Sequence, residues 1–107
     1  MTNLDILTML KANLEIATNV HDTYLGQLIE VGYKQITEEG IKIEKEAAPE
    51  GSDYTYSIED IKDVNLVVMY AAYLYRKRAD EGAPQMPRML RYALNNRLFS
   101  QKIREDS

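Results

Sequence analysis

The sequence contains no cysteine, which excludes disulfides and thiolate metal sites. It has one histidine, His21, so a multi-histidine metal site is excluded and a histidine base can exist at that position only. No apolar run approaches the ~20 residues that span a bilayer, and no membrane association is expected. The opening MTNLDILTMLK lacks the basic start and small-residue cleavage site of a signal peptide. The expectation is a chain made and kept, at least initially, in a cytoplasm-like compartment. Phosphate-cradling and dinucleotide glycine patterns are missing. Ser52 and Ser57 lie outside any GxSxG context. His21 beside Asp22 is more simply a surface or capping residue than a general base. Glu38 with Glu39, or Asp60 with Asp63, can bind a divalent ion weakly, but solvation and the helix dipole explain acids at helix ends more simply. No enzymatic activity, cofactor or metal is expected.

What is present is an ordinary globular composition, 45% apolar and 28% charged over 107 residues, enough for one domain, 1–107, with a single modest core. The net charge of −4 is unevenly spread. Met1–Tyr54 carries four cations against ten acids, and Leu74–Arg104 carries eight cations against Asp80 and Glu81. An acidic front and a basic back suit either head-to-tail stacking with further copies or a basic face for an anionic partner. A plain solubilising surface is the alternative.

The chain is organised around Ile58–Arg78. Ile61, Val64, Val68, Ala71, Ala72 and Tyr75 fall on one side of a helix, and Leu66, Val67, Met69, Tyr70 and Leu74 fill most of the rest. A helix that apolar needs neighbours on more than one face. Ser57 is its expected cap, with Glu59, Asp60 and Asp63 in the opening turns. Arg76, Lys77 and Arg78 suit the negative end of its dipole.

Around it the spacing predicts three more helices. The first starts at a Thr2 or Asn3 cap, buries a stripe of Leu4, Leu7 and Leu10 flanked by Ile6 and Leu14, and ends near Asn13–Ala17. The second starts at Asn19 or Asp22 and runs to about Glu39, with Tyr24, Leu25, Leu28, Ile29 and Ile36 inward. Gly32 within it costs roughly 1 kcal/mol relative to alanine, which marks a close helix crossing, and Gly40 is the stop. Gly82 and Pro87 in the stretch 79–87 separate the third helix from a fourth at about Pro87–Ile103. That helix has Met86, Leu90, Leu94 and Leu98 on one side with Met89, Ala93 and Phe99 beside it, Arg88, Arg91, Asn95, Arg97 and Lys102 largely on other faces, and frayed residues after it. Between helices two and three, 40–57 holds two alternating arms, Ile41–Glu44 and Tyr54–Ser57, about a turn. It reads as a β-hairpin or an extended, mobile loop. An isolated hairpin is marginal, so an ordered one needs a cover, and a neighbouring subunit is a reasonable one. The fold class is all-α: a small bundle of about four helices with a long loop or hairpin between the second and third.

Tyr70, Tyr73, Tyr75 and Tyr92 crowd the last two helices among arginines and lysines. Such a mixture serves a core, a protein interface or nucleic-acid stacking. A small DNA-binding or DNA-packaging accessory protein is therefore an alternative, disfavoured by the pI of about 5.0 and the lack of a clear recognition helix.

Four segments together, LDILTMLKANLEI, HDTYLGQLIEVGYKQITEEGI, DVNLVVMYAAYLYRKR and MPRMLRYALNNRLF, resemble the head–tail connector (adaptor) proteins of tailed bacteriophages and prophages, also labelled phage DNA-packaging proteins. The likeness spans nearly the whole chain and rests on packing residues, among them Asp22, Leu25, Leu28 and Ile29, with no catalytic motif. It implies a homo-oligomeric ring, commonly of twelve subunits, in the virion between the portal protein and the next head-completion or tail protein. The genome would pass through its channel without specific binding. The chain would meet the portal in the host bacterial cytoplasm during assembly, and can be a monomer before that. Arg76, Lys77, Arg78, Arg88, Arg91 and Arg97, with Tyr54 and Tyr56 on the loop, are the candidate partner-binding residues.

Overall fold

The structure is a computed structural model that describes residues 1–79 and 86–106. Gly82, expected to end the third helix, lies outside the described residues. Among the described residues there are four helices: α1 (Asn3–Asn13), α2 (Asp22–Glu38), α3 (Ile61–Ala79) and α4 (Arg88–Asp106). A short antiparallel hairpin of β1 (Glu46–Ala47) and β2 (Tyr56–Ser57) lies between α2 and α3, with Glu46 opposite Ser57 and Ala47 opposite Tyr56. The expected all-α bundle with a hairpin insertion is what the chain forms. Its backbone occupies a slab of 46 × 43 × 19 Å.

α3 packs on α1, α2 and α4, as its apolar circumference requires. Val64, Leu66, Val67, Val68, Tyr70, Ala71 and Ala72 are buried, while Ile61 is 50% exposed in the first turn. The cap of α3 is Asp60 and not Ser57. Asp60 Oδ1 accepts the Lys62 N–H at 2.9 Å and its carbonyl accepts the Val64 N–H, whereas Ser57 pairs in β2. Residues 58–60 are thus a connection and not helix.

α1 begins with a reciprocal capping box. Thr2 accepts the Asp5 N–H through its side chain, and Asp5 accepts the Thr2 N–H. Its buried residues are Ile6 and Leu10, and Leu4, expected inside, is 41% exposed. One short helix against α2 and α3 buries a narrower stripe than the full run of leucines. α1 closes on a Schellman turn, with Ile16 N–H to the Lys11 carbonyl and Glu15 N–H to the Ala12 carbonyl. Glu15 takes the left-handed conformation there, φ 58°.

His21 occupies the cap position of α2 without a side-chain cap bond. Asn19 and Asp22, the expected caps, are both held by Lys11 Nζ, at 2.7 and 2.9 Å. That exchange ties the end of α1 to the start of α2. At Gly32 a Cβ would sit 3.5 Å from both the Ala71 nitrogen and the Tyr70 Cβ. The crossing of α2 over α3 is therefore close, yet it has room for one methyl. Gly32→Ala is expected to leave stability level or raise it by up to about 1 kcal/mol through helix propensity. Gly32→Leu should cost about 1–3 kcal/mol by overpacking. Urea denaturation of the two variants checks both signs.

The 40–58 segment is packed against its own chain. Ile41, Ile43, Tyr56 and Ile58 are buried in the common core. The Met1 backbone pairs with Ile58 in both directions at 2.8 Å, and Asn3 Oδ1 accepts the N–H groups of Thr55 and Tyr56 at 2.8 and 3.3 Å. Gln101 on α4 exchanges two hydrogen bonds with the Lys42 backbone. The first arm alternates as expected, but β1 forms three residues after Ile43, because Ile41 and Ile43 are drawn into the core and not into a ladder. α4 is longer than expected: its backbone stays helical to Asp106, beyond the fraying point placed after Ile103.

Candidate interaction surface

The candidate residues separate into those on the surface and those inside. Arg76, Lys77 and Arg78 end α3 and are all exposed. Each lies against a neighbour. Arg76 Nη2 donates to Asn13 Oδ1 at 3.2 Å, Lys77 Nζ is 5.8 Å from the Tyr73 ring centre, and the Arg78 guanidinium lies over the rings of Tyr24 and Tyr75 at 4.8 and 5.4 Å. Contacts with aromatic faces hold cations in place while leaving them wet. Arg88 is exposed at the start of α4. Arg91 is exposed too but carries an ion pair to Glu39 at the end of α2, so its charge is partly matched within the chain.

Arg97 is inside the fold at 8% exposure. Its Nε donates to Asp63 Oδ1 at 2.9 Å, and Nη2 donates to Asp60 Oδ2 at 2.8 Å and Asp63 Oδ2 at 3.3 Å. This bidentate bond locks α4 to the first turn of α3. Burial pushes the Asp63 carboxyl above its ordinary range, although Arg97 pulls the other way. The Lys62 backbone N–H, with Arg97 second to it, holds Asp60 below that range.

The acid limb of stability follows from these signs. Asp60, lowered from 3.8, favours the fold above that pH, and this contribution is lost as pH falls through its folded value. Asp63, raised, binds its proton more readily when folded and partly offsets the loss. Asp60→Asn keeps a capping oxygen and removes the titration. It is expected to make the fall in Tm below about pH 4 shallower, as a series of thermal melts would show.

On the hairpin, Tyr54 is half-buried. Tyr56 is inside, its hydroxyl donating to Glu30 Oε1 at 2.7 Å. Burial, then the bond to Glu30, drives the phenol far above its usual range. Lys45 Nζ lies 4.0 Å from the Tyr33 ring centre and 4.3 Å from that of Tyr56. Arg97 and Tyr56 are thus both committed within the chain, and the accessible candidates are Arg76, Lys77, Arg78, Arg88, Arg91 and the open side of Tyr54.

A cleft of about 600 Å³ lies between the hairpin and α4, lined by residues that include Lys42, Lys45, Glu44, Glu46, Asp60 and Asp63. Its floor is the Arg97 network, which already matches opposite charges. Among the described residues no group of three potential ligands is placed to hold a metal ion, and no helix is long and apolar enough to cross a membrane.

One surface was missed in the sequence, where the spacing puts Met89 and Phe99 beside the inward stripe of α4. Met89, Tyr92, Phe99 and Ile103 on α4 are 78%, 69%, 66% and 54% exposed. The opposite side of the same helix buries Leu90 and Leu94. Both sides of α4 are apolar, and among the described residues only one is covered. The visible signal was the interval of three and four residues running through 89, 92, 96, 99 and 103 in parallel with the inward one. Comparison with protein-family models, curated proteins and solved structures finds no match to this chain.

Proposed function

We propose that the chain is a structural head–tail connector of a tailed phage or prophage, a ring subunit beneath the portal that joins the DNA-filled head to the tail. The likeness of its four helical segments to that family suggests the reading. The observation that carries it is charge polarity: Arg76, Lys77, Arg78 and Arg88 are exposed where α3 ends and α4 begins, while Glu30, Glu38, Glu44, Glu46 and Glu50 are exposed on α2 and the hairpin. A closing head-to-tail ring joins two different patches of one surface, and opposite charges on them set the register. In this reading the chain performs no reaction. Its place is the virion's head–tail interface, with the portal above, the next head-completion or tail protein below, and DNA passing through.

The experiment is co-migration of purified chain with portal rings on a sizing column. The chain is expected to move with the portal, and Arg76→Glu with Lys77→Glu is expected to weaken binding at least tenfold. Free chain in the presence of competent portal rings would contradict the reading. Against the DNA-binding alternative, Arg97 is buried and Arg91 paired, which leaves fewer cations for phosphate. A gel shift that is tight at low salt and collapses at moderate salt would restore that alternative.

A further inference from the structure

The exposed side of α4 carries an apolar stripe with heptad spacing. Met89, Asn96 and Ile103 stand seven residues apart, and Tyr92 and Phe99 stand three residues after the first two. Those are the a and d positions of a heptad. All five side chains are exposed. We propose that this face docks on the same face of a second copy, with the two α4 helices parallel and in register.

Four features choose that occupant. The spacing fits a helix of the same period packed at a small angle. The flanks are compatible with themselves: in the parallel arrangement Arg88 faces Ala93 of the other copy and Asn95 faces Ser100, so no like charges meet there. An antiparallel arrangement would bring Arg88 toward Lys102. Asn96, at the middle a position, meets its own counterpart, where paired asparagines set register and two-fold order. A groove of about 410 Å³ beside the seam, where Leu66, Met69 and Ala93 stand among Lys62, Asn65, Arg97 and Ser100, gives side chains of the other copy a further, partly apolar wall. Large aromatics cover roughly 150–250 Å² each when buried. Joining two seams then removes on the order of 1,000 Å², the low end for a specific interface, which suits a weak, reversible pair. Two-fold pairing is a different contact from a head-to-tail ring and stands without the connector reading.

The test uses the full chain, which has no native cysteine. Sedimentation equilibrium is expected to show monomer and dimer exchanging at micromolar concentration. Phe99→Asp and Tyr92→Asp, both at exposed sites, should each weaken the dimer at least tenfold with an unchanged helical circular-dichroism spectrum. Asn96→Cys should form a covalent dimer under mild oxidation far faster than Glu50→Cys at the exposed hairpin tip. A monomer at every concentration, a dimer indifferent to Phe99→Asp, or equal cross-linking of the two cysteine variants overturns the pairing. A chain that stays monomeric alone but binds portal through Phe99 also overturns it and leaves the connector reading intact. A chain that pairs through α4 and ignores portal does the reverse.

Discussion

Replacing Arg97 with alanine is expected to destabilise the protein by about 3–5 kcal/mol at pH 7. The reason lies less in the lost ion pair than in what remains. Asp63 is 3% exposed, and without the guanidinium its carboxylate is buried and uncompensated. Its folded pKa, already raised by burial, should climb further. The folded state then binds a proton that the unfolded chain does not. The cost of the substitution should therefore shrink as pH falls below the new folded value. A urea series at pH 7 and pH 5 measures both. The pair Arg97→Met with Asp63→Leu should recover much of the loss, since a buried ion pair is often replaceable by well-packed apolar groups. If Arg97→Ala folds as stably as the parent, the guanidinium does not lock α4 to α3, and it is free to serve the surface.

Ile58→Ala is expected to cost about 2–5 kcal/mol, the range for deleting a fully buried aliphatic side chain. Ile58 is 1% exposed and shares the core with Ile41, Ile43 and Tyr56. A mobile insertion would lose almost nothing from this change. As a control, Glu50→Ala at the exposed turn should stay within about 0.5 kcal/mol of the parent. Equal effects at the two positions would mean that 40–58 is peripheral after all.

What could be read from the chain beforehand was what depends on nearby residues. The apolar circumference of α3, the Thr2 cap with Asp5, the Gly40 stop and the close crossing at Gly32 are all set within one or two helical turns. What escaped depends on distant partners. Arg97 finds Asp63 and Asp60 at separations of 34 and 37 residues, and nothing in RMLRYALNNRLF distinguishes it from Arg88. Tyr56 meets Glu30 across 26 residues, so its alternating surroundings suggested a loop aromatic when it is a core one. The cover over the hairpin came from Met1 to Asn3, which a local pattern cannot announce. The cap of α3 moved from Ser57 to Asp60 because Ser57 was recruited into β2, a tertiary demand that outranks capping preference. On α4 two apolar stripes coexist, and periodicity alone does not say which faces water.

The surface residues left after these internal commitments are the substance of the functional proposal, and one measurement bears on it most directly. Native mass of portal rings should be recorded before and after addition of the 12.3 kDa chain. The connector account predicts a single new species heavier by a whole ring of subunits, commonly twelve, with no partly filled rings at saturation. An unchanged portal mass at saturating chain would contradict it.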